Sequence, residues 1–180
     1  MVGCPGSGKS TYANNLAERG SNIIVISRDV IRFSMISEED EYFSKEDAVF
    51  KEFTRQIDEH LAKGEDVIAD ATHLNRKSRY KLIKNLKVEP DKINIIYVKT
   101  PLDICQVRNA KRKGTRSFVP EEVVERMFYS IEEPNFNNEH WIHSIATLEY
   151  GSTPLAPSID LENFDIWSTA ERTDGVIFRF

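Results

Sequence analysis

Eight consecutive residues near the start of the chain, Gly3-Cys4-Pro5-Gly6-Ser7-Gly8-Lys9-Ser10, carry its clearest chemistry. The pattern G-x-x-x-x-G-K-S runs without a gap into a helical stretch through Thr11, Tyr12 and Leu16, as a loop that holds a nucleotide's phosphates requires. Glycines at Gly6 and Gly8 let the backbone curl so that successive amides face one anion, and the helix N-terminus adds its partial positive charge. Lys9 would reach the β- and γ-phosphates, and the Ser10 hydroxyl is placed to ligate magnesium. Gly3, Ser7 and Thr11 complete the expected nucleotide-binding set, and ATP with Mg²⁺ are the expected cofactors. The bland alternative is a glycine turn that merely caps a helix.

Three further sites follow apolar runs, where a parallel sheet would bind its ligands. After Ile23 to Ser27 come Arg28, Asp29 and Arg32, with Asp29 and Arg32 one helical turn apart. A carboxylate there could take the proton of an attacking hydroxyl and an arginine could hold an acceptor's phosphate; equally, Asp29 could be only a helix cap. After Val67 to Ala69 come Asp70, Thr72, His73 and Asn75. Asp70 could order magnesium-bound water or fix an arginine, or be a buried acid satisfied by backbone amides, while His73 has no partner at metal-ligand spacing. The third is Arg108-Asn109-Ala110-Lys111-Arg112-Lys113-Gly114-Thr115-Arg116. Arg108 and Arg112 at i and i+4 repel unless an anion lies between them, and Gly114 allows a hinge. This reads as a lid whose arginines close over the phosphates, the alternative being a solvated helix end.

These residues need a scaffold, and the 180-residue chain is long enough for one domain with a core of its own. With 40% apolar and 29% charged residues, disorder, collagen-like repeats and a disulfide scaffold are excluded. The two cysteines, Cys4 and Cys105, form no framework. No apolar run approaches the roughly 20 residues of a membrane helix, so no membrane partner and a cytoplasmic location are expected. Residues 76–116 carry a net charge of +10 and the remainder −15. That split suggests an anionic partner held by one face.

Short β-branched runs alternate with longer amphipathic stretches, which predicts an α/β fold with a parallel sheet flanked by helices. Helices are expected over 9–19, ended by Gly20 in a left-handed conformation, then shortly after Asp29, and over 45–63 with Ser44 as cap. Further helices are expected over 76–86 with Asn75 as a possible cap, from Thr100-Pro101 to about Arg112, and from Pro120 to about Ile131. Strands are expected at 22–27, 66–70 and 92–99, and more weakly at 141–150 and 175–180. Residues 1–134 would form the domain, with the lid at about 108–119 and 135–180 an extension of unknown role. Only Met1 and Val2 precede the loop, where its feeding strand should lie at the centre of the sheet; Val176 to Phe178 is one segment that could fill that place.

GCPGSGKST, SRDVIR, VIADATHLNRKSR and VRNAKRKGTRSFVPEEVVERMFYSI occur in an order and spacing that resembles the kinase domain of the bacteriophage polynucleotide 5'-kinase family. The resemblance covers about residues 3 to 131. It implies an adenylate-kinase-like, three-layer P-loop kinase fold with a helical lid, and transfer of the ATP γ-phosphate to the 5'-hydroxyl end of DNA or RNA. Under it Lys9, Asp29 and Arg112 would be catalytic, with Asp29 the general base. Arg32, Asp70 and Asn75 would bind substrate, and Arg108 and Arg112 would grip the nucleotide. Lys113 is an extra residue before Gly114, and no D-x-D-x-T phosphatase signature follows Pro134. The same machinery could serve a nucleoside, a sugar nucleotide or another small acceptor, or a binding module without transfer.

Overall fold

The computed structural model describes residues 1–37 and 39–151. Its helices are α1 (Lys9–Arg19), α2 (Arg28–Met35), α3 (Glu46–Leu61), α4 (Arg76–Asn85), α5 (Leu102–Ala110) and α6 (Glu121–Tyr129). Its strands are β1 (Ile23–Ser27), β2 (Asp66–Asp70), β3 (Asn94–Lys99) and β4 (Ser144–Glu149). β1 pairs with β2 in parallel, Ile23 opposite Asp66 and Ser27 opposite Asp70. β3 and β4 pair likewise, Asn94 opposite Ser144 and Lys99 opposite Glu149. The chain beyond Pro134 therefore supplies an outer strand of the sheet.

The two halves of the sheet meet at the first two residues. Val2 bridges to Tyr97 in parallel, its N–H donating to Ile96 O at 2.8 Å and its carbonyl accepting from Val98 N–H at 2.9 Å. On the other side the Met1 amine donates to Ala69 O at 3.2 Å, and Gly3 N–H donates to Thr72 O at 3.1 Å. Met1 and Val2 thus hold the central place in the order β1-β2-(Met1, Val2)-β3-β4. Beyond them the facing edges of β2 and β3 line a cavity of about 540 Å³, with Val67, Ala69, Ile93 and Ile95 among its walls. Residues 176–178, the sequence candidate for this position, lie outside the described residues.

Burial of one helical stripe anchors the first of three core clusters. Val49, Phe53 and Ile57 of α3 are spaced to share one face, and they pack with Ile26, Ile31 and Leu82. Across the sheet Val2, Ile95, Tyr97 and Ile142 form a second cluster, and Cys4, Cys105 and Val124 a third beneath the glycine-rich loop. Both cysteines are free and buried.

Several local expectations need correction. Gly20 is extended, with φ −102° and ψ 139°, instead of left-handed; its lack of a side chain matters because a Cβ there would lie 2.4 Å from Ile23 Cδ1. Ser44 does not cap α3, which starts at Glu46 behind Lys45, because Ser44 belongs to a turn in which its N–H donates to Glu41 O. α5 stops at Ala110 rather than near Arg112, giving way to turns closed by Arg112 N–H to Asn109 O and Lys113 N–H to Ala110 O. β3 and β4 start later than the expected 92–99 and 141–150, at Asn94 and Ser144. The 175–180 segment lies outside the described residues.

A buried ion pair fixes the segment leading to β4. Arg79 Nε donates to Glu139 Oε2 at 2.7 Å and its terminal nitrogen to Oε1 at 2.5 Å, with both side chains at most 2% exposed. The same guanidinium donates to the carbonyls of His73 and Glu132. Removing one partner of such a pair leaves an uncompensated buried charge. Glu139→Ala is therefore expected to lower stability by about 3–5 kcal/mol, measured by urea unfolding; a loss below about 1 kcal/mol, the range of an exposed pair, would contradict this account.

Candidate active site

Parallel pairing brings the loop and the carboxyl ends of β1, β2 and β3 to one edge of the sheet. Gly3, Gly6 and Gly8 have φ of 148°, 81° and 105°, backbone conformations that side chains disfavour. At Gly6 space is also exhausted, since a Cβ would lie 2.4 Å from the Cys105 carbonyl oxygen. Thr100 Oγ1 donates to Ser7 O at 2.9 Å, and Arg108 donates to the same oxygen at 3.1 Å and to Gly6 O at 3.4 Å. With the Gly6 and Ser7 carbonyls so engaged, no acceptor among the described residues takes the N–H of Gly6, Gly8, Lys9 or Ser10. The buried Ser7 hydroxyl also lacks a partner there. Unpaired donors at a helix start form a site for an anion.

Lys9 is buried and donates to Cys4 O at 3.0 Å. Burial lowers its pKa, opposed by the charges of Asp70 and Asp29. Two of the sequence-predicted carboxylates thus act on Lys9. Asp70 is buried at the end of β2, while Ser10 and Thr11 are exposed in the first turn of α1. Magnesium fits this donor set: Ser10 Oγ and the Asp70 carboxylate are hard oxygens, and the ion binds through one or two such groups with phosphates and water.

Ser27 decides the role of its neighbour. Its hydroxyl caps α2 by accepting from Val30 N–H at 3.5 Å, so Asp29 is not the cap and lies in the first turn, 62% exposed. Asp29 Oδ1 accepts from Arg32 at 2.6 Å and from the Tyr42 hydroxyl at 2.8 Å. Arg32 also donates to Tyr42 Oη at 2.8 Å and to Glu46 Oε2 at 2.7 Å, and Glu46 accepts from Arg28 through its other oxygen. Burial, then the charge of Asp29, raises the Tyr42 pKa, so the phenol stays protonated as a donor. The Nε–H groups of Arg28 and Arg32 are buried without an acceptor among the described residues. Tyr42 and Glu46 were invisible in the sequence as site residues, since each joins through a contact ten or more positions away.

The segment expected to form a lid is held at several points. Asn109 closes the base of the 110–118 segment by donating to Val119 O at 2.6 Å and accepting from Val119 N–H at 3.1 Å. Arg116 reaches across to donate to Phe33 O at 3.0 Å and Ile36 O at 2.6 Å at the end of α2. Arg108 meets the loop at its carbonyls and its guanidinium carbon lies 5.2 Å from the Tyr150 ring centroid. Arg112 does not join it: α5 has ended, and the residue is exposed in the following turn. Asn75 caps α4, its Oδ1 accepting from Ser78 N–H at 2.8 Å, so that oxygen is committed to the helix. His73, at φ 43°, faces the Met1 carbonyl at 3.0 Å through Nδ1.

A family model described as an AAA domain matches residues 1–134. The chain belongs to that family. It is 37% identical over 119 residues to a probable adenylyl-sulfate kinase of Bacillus subtilis (strain 168), covering 62% of this chain and 57% of that protein. It is 28% identical over 143 residues to L-seryl-tRNA(Sec) kinase of Methanococcus maripaludis, covering 74% and 52%. The chain spans about half the length of the curated relatives it matches. Among solved structures, the Pnkp1/Rnl/Hen1 RNA repair complex matches with a TM-score of 0.62 at 24% identity, covering 72% of this chain and 42% of that one. A sugar kinase from Janibacter matches with a TM-score of 0.59 at 20% identity, covering 82% of each. At these identities the likeness is one of fold, an α/β P-loop kinase fold. No helix among the described residues is long and apolar enough to cross a membrane.

Two measurements test the site's construction. Gly6→Ala should weaken ATP binding at least tenfold, about 1.4 kcal/mol, by calorimetric titration; wild-type affinity would contradict the close approach to Cys105. Burial lowers the His73 pKa from 6.5 to about 3. Above pH 6.5 the ring is neutral folded and unfolded; as pH falls toward 3 only the unfolded chain takes the proton, so stability falls by about 1.4 kcal/mol per pH unit. Denaturant titrations should show this slope between pH 6.5 and 3 and a shallower one in His73→Gln.

Proposed function

We propose that this protein is an ATP-dependent kinase that transfers the γ-phosphate to the 5'-hydroxyl of a polynucleotide. The observation that carries the reading is the Asp29–Arg32 pair at the end of β1, its carboxylate one of those that stabilise the Lys9 ammonium. Asp29 Oδ1 is held by Arg32 and Tyr42, and Oδ2 accepts the proton of the incoming hydroxyl. The hydroxyl oxygen attacks the γ-phosphorus in line, the bond to the β–γ bridging oxygen breaks, and ADP leaves. The loop amides, Lys9 and Arg108 hold the nucleotide, and Arg32 exchanges an acidic partner for the acceptor's phosphate. Magnesium held near Ser10 and Asp70 would neutralise charge on the phosphates.

The repair-complex and tRNA-kinase likenesses support a nucleic-acid acceptor, as does the +10 charge of residues 76–116. One observation favours a small acceptor instead, the 37% identity to an adenylyl-sulfate kinase. Labelled phosphate transfer from ATP to a 5'-hydroxyl oligonucleotide, run beside adenylyl sulfate, a sugar and a nucleoside, separates the two. Asp29→Asn should lower kcat by about 10²–10⁴ with little change in the KM for ATP, the range for loss of a general base. Transfer to a small acceptor alone, or an Asp29→Asn enzyme of undiminished kcat, would sink this reading.

A further inference from the structure

The cationic residues of α4 take no part in the site described above, yet one aromatic ring joins them to it. Phe50 on α3 has the Arg28 guanidinium 5.3 Å from its ring centroid and the Lys81 ammonium 4.5 Å from it. Arg28 directly precedes Asp29 and shares Glu46 with Arg32. Positive charge therefore continues from the acceptor residues over Phe50 and onto α4. At about 100° per residue, Arg76, Tyr80, Lys84, Lys77 and Lys81 fall within about 140° of one another on that helix. All five are exposed, whereas Arg79 and Leu82 bury the opposite side. No carboxylate among the described residues pairs with Lys77, Lys81 or Lys84, although carboxylates take up Arg28, Arg32, Arg55, Lys63 and Arg79 elsewhere on the surface and in the core. Tyr80 is 52% exposed within this face.

We infer that the exposed face of α4, entered past Phe50, is the track for the single strand that trails from the acceptor's 5' end. Unpaired lysines on one face supply the phosphate contacts that such a strand needs, and an exposed tyrosine among them supplies a stacking surface that tolerates any base. Phe50 is half-buried and holds two cations, so its part is to position Arg28 and Lys81 at the entrance. The inference rests on the polynucleotide reading of the Asp29 site and extends it: the enzyme would bind several nucleotides beyond the one it phosphorylates.

The test compares a nucleoside 3'-monophosphate, which reaches only the Asp29–Arg32 site, with a single-stranded ten-nucleotide 5'-hydroxyl acceptor. For wild type the ten-mer KM should be at least tenfold lower. The triple variant Lys77→Gln, Lys81→Gln, Lys84→Gln should raise the ten-mer KM tenfold or more while leaving kcat and the mononucleotide KM within twofold. The slope of log KM against log salt for the ten-mer should fall by about 2, at roughly 0.7 per single-strand phosphate contact. The corresponding triple lysine-to-arginine variant should restore wild-type values, which a fold defect would not allow. Phosphorylation of both acceptors with equal KM, or a glutamine variant with an unchanged ten-mer KM and salt slope, overturns the track and leaves the polynucleotide reading standing. Transfer to neither acceptor overturns that reading, and the track with it.

Discussion

Two backbone hydrogen bonds, Val2 N–H to Ile96 O and Val98 N–H to Val2 O, seat the glycine-rich loop between the halves of the sheet. Everything chemical in the protein is measured from that seat. Gly3 continues the contact by donating to Thr72 O, which ties the loop to the end of β2 beside Asp70. Thr100 and Arg108 then take the Ser7 carbonyl from the β3 side. A loop whose carbonyls are satisfied by its neighbours keeps its amides for an anion without reorganising when the anion arrives.

The charges around this seat follow from burial. Lys9 gives up most of its contact with water, and the carboxylates of Asp70 and Asp29 oppose the resulting fall in its pKa. Farther out, Glu46 holds Arg28 and Arg32 together, with Tyr42 closing the cluster over Asp29. Burying a guanidinium is costly unless its donors are met, and here acids and a phenol meet both terminal nitrogens of Arg32 and one of Arg28 while the two Nε–H groups stay unmatched. An arrangement of this kind can exchange an acidic partner for an incoming phosphate with a small net change in pairing.

Much of this was legible in one dimension because local chemistry constrains it. A glycine at positive φ, a lysine after it and a serine next to that have one common physical use, and Gly6 and Gly8 adopt the expected conformations. The helical stripe Val49, Phe53 and Ile57 and the strand runs at 23–27 and 66–70 were legible from their periods alone. Boundaries were less so. Ser44 and Gly20 have the right residue types for their expected roles, but a turn captured the first and the second is extended where the chain runs on toward β1.

The sequence by itself determined the phosphate-binding loop, the alternation that makes a parallel α/β sheet, and the concentration of positive charge in residues 76–116. Each depends on neighbours within a few positions or on composition, so no fold was needed to read it. Tertiary structure decided that Ser27 and not Asp29 caps α2, that Tyr42 and Glu46 join Asp29 and Arg32 in one cluster, and that Arg108 reaches the loop while Arg112 lies beyond the end of α5. It also decided that Arg28 and Lys81 both lie over the Phe50 ring. The Ser27 cap and the end of α5 are local outcomes, but the other contacts join residues on different elements, and only the packing of α2, α3, α4 and α5 against the sheet sets the distances between them.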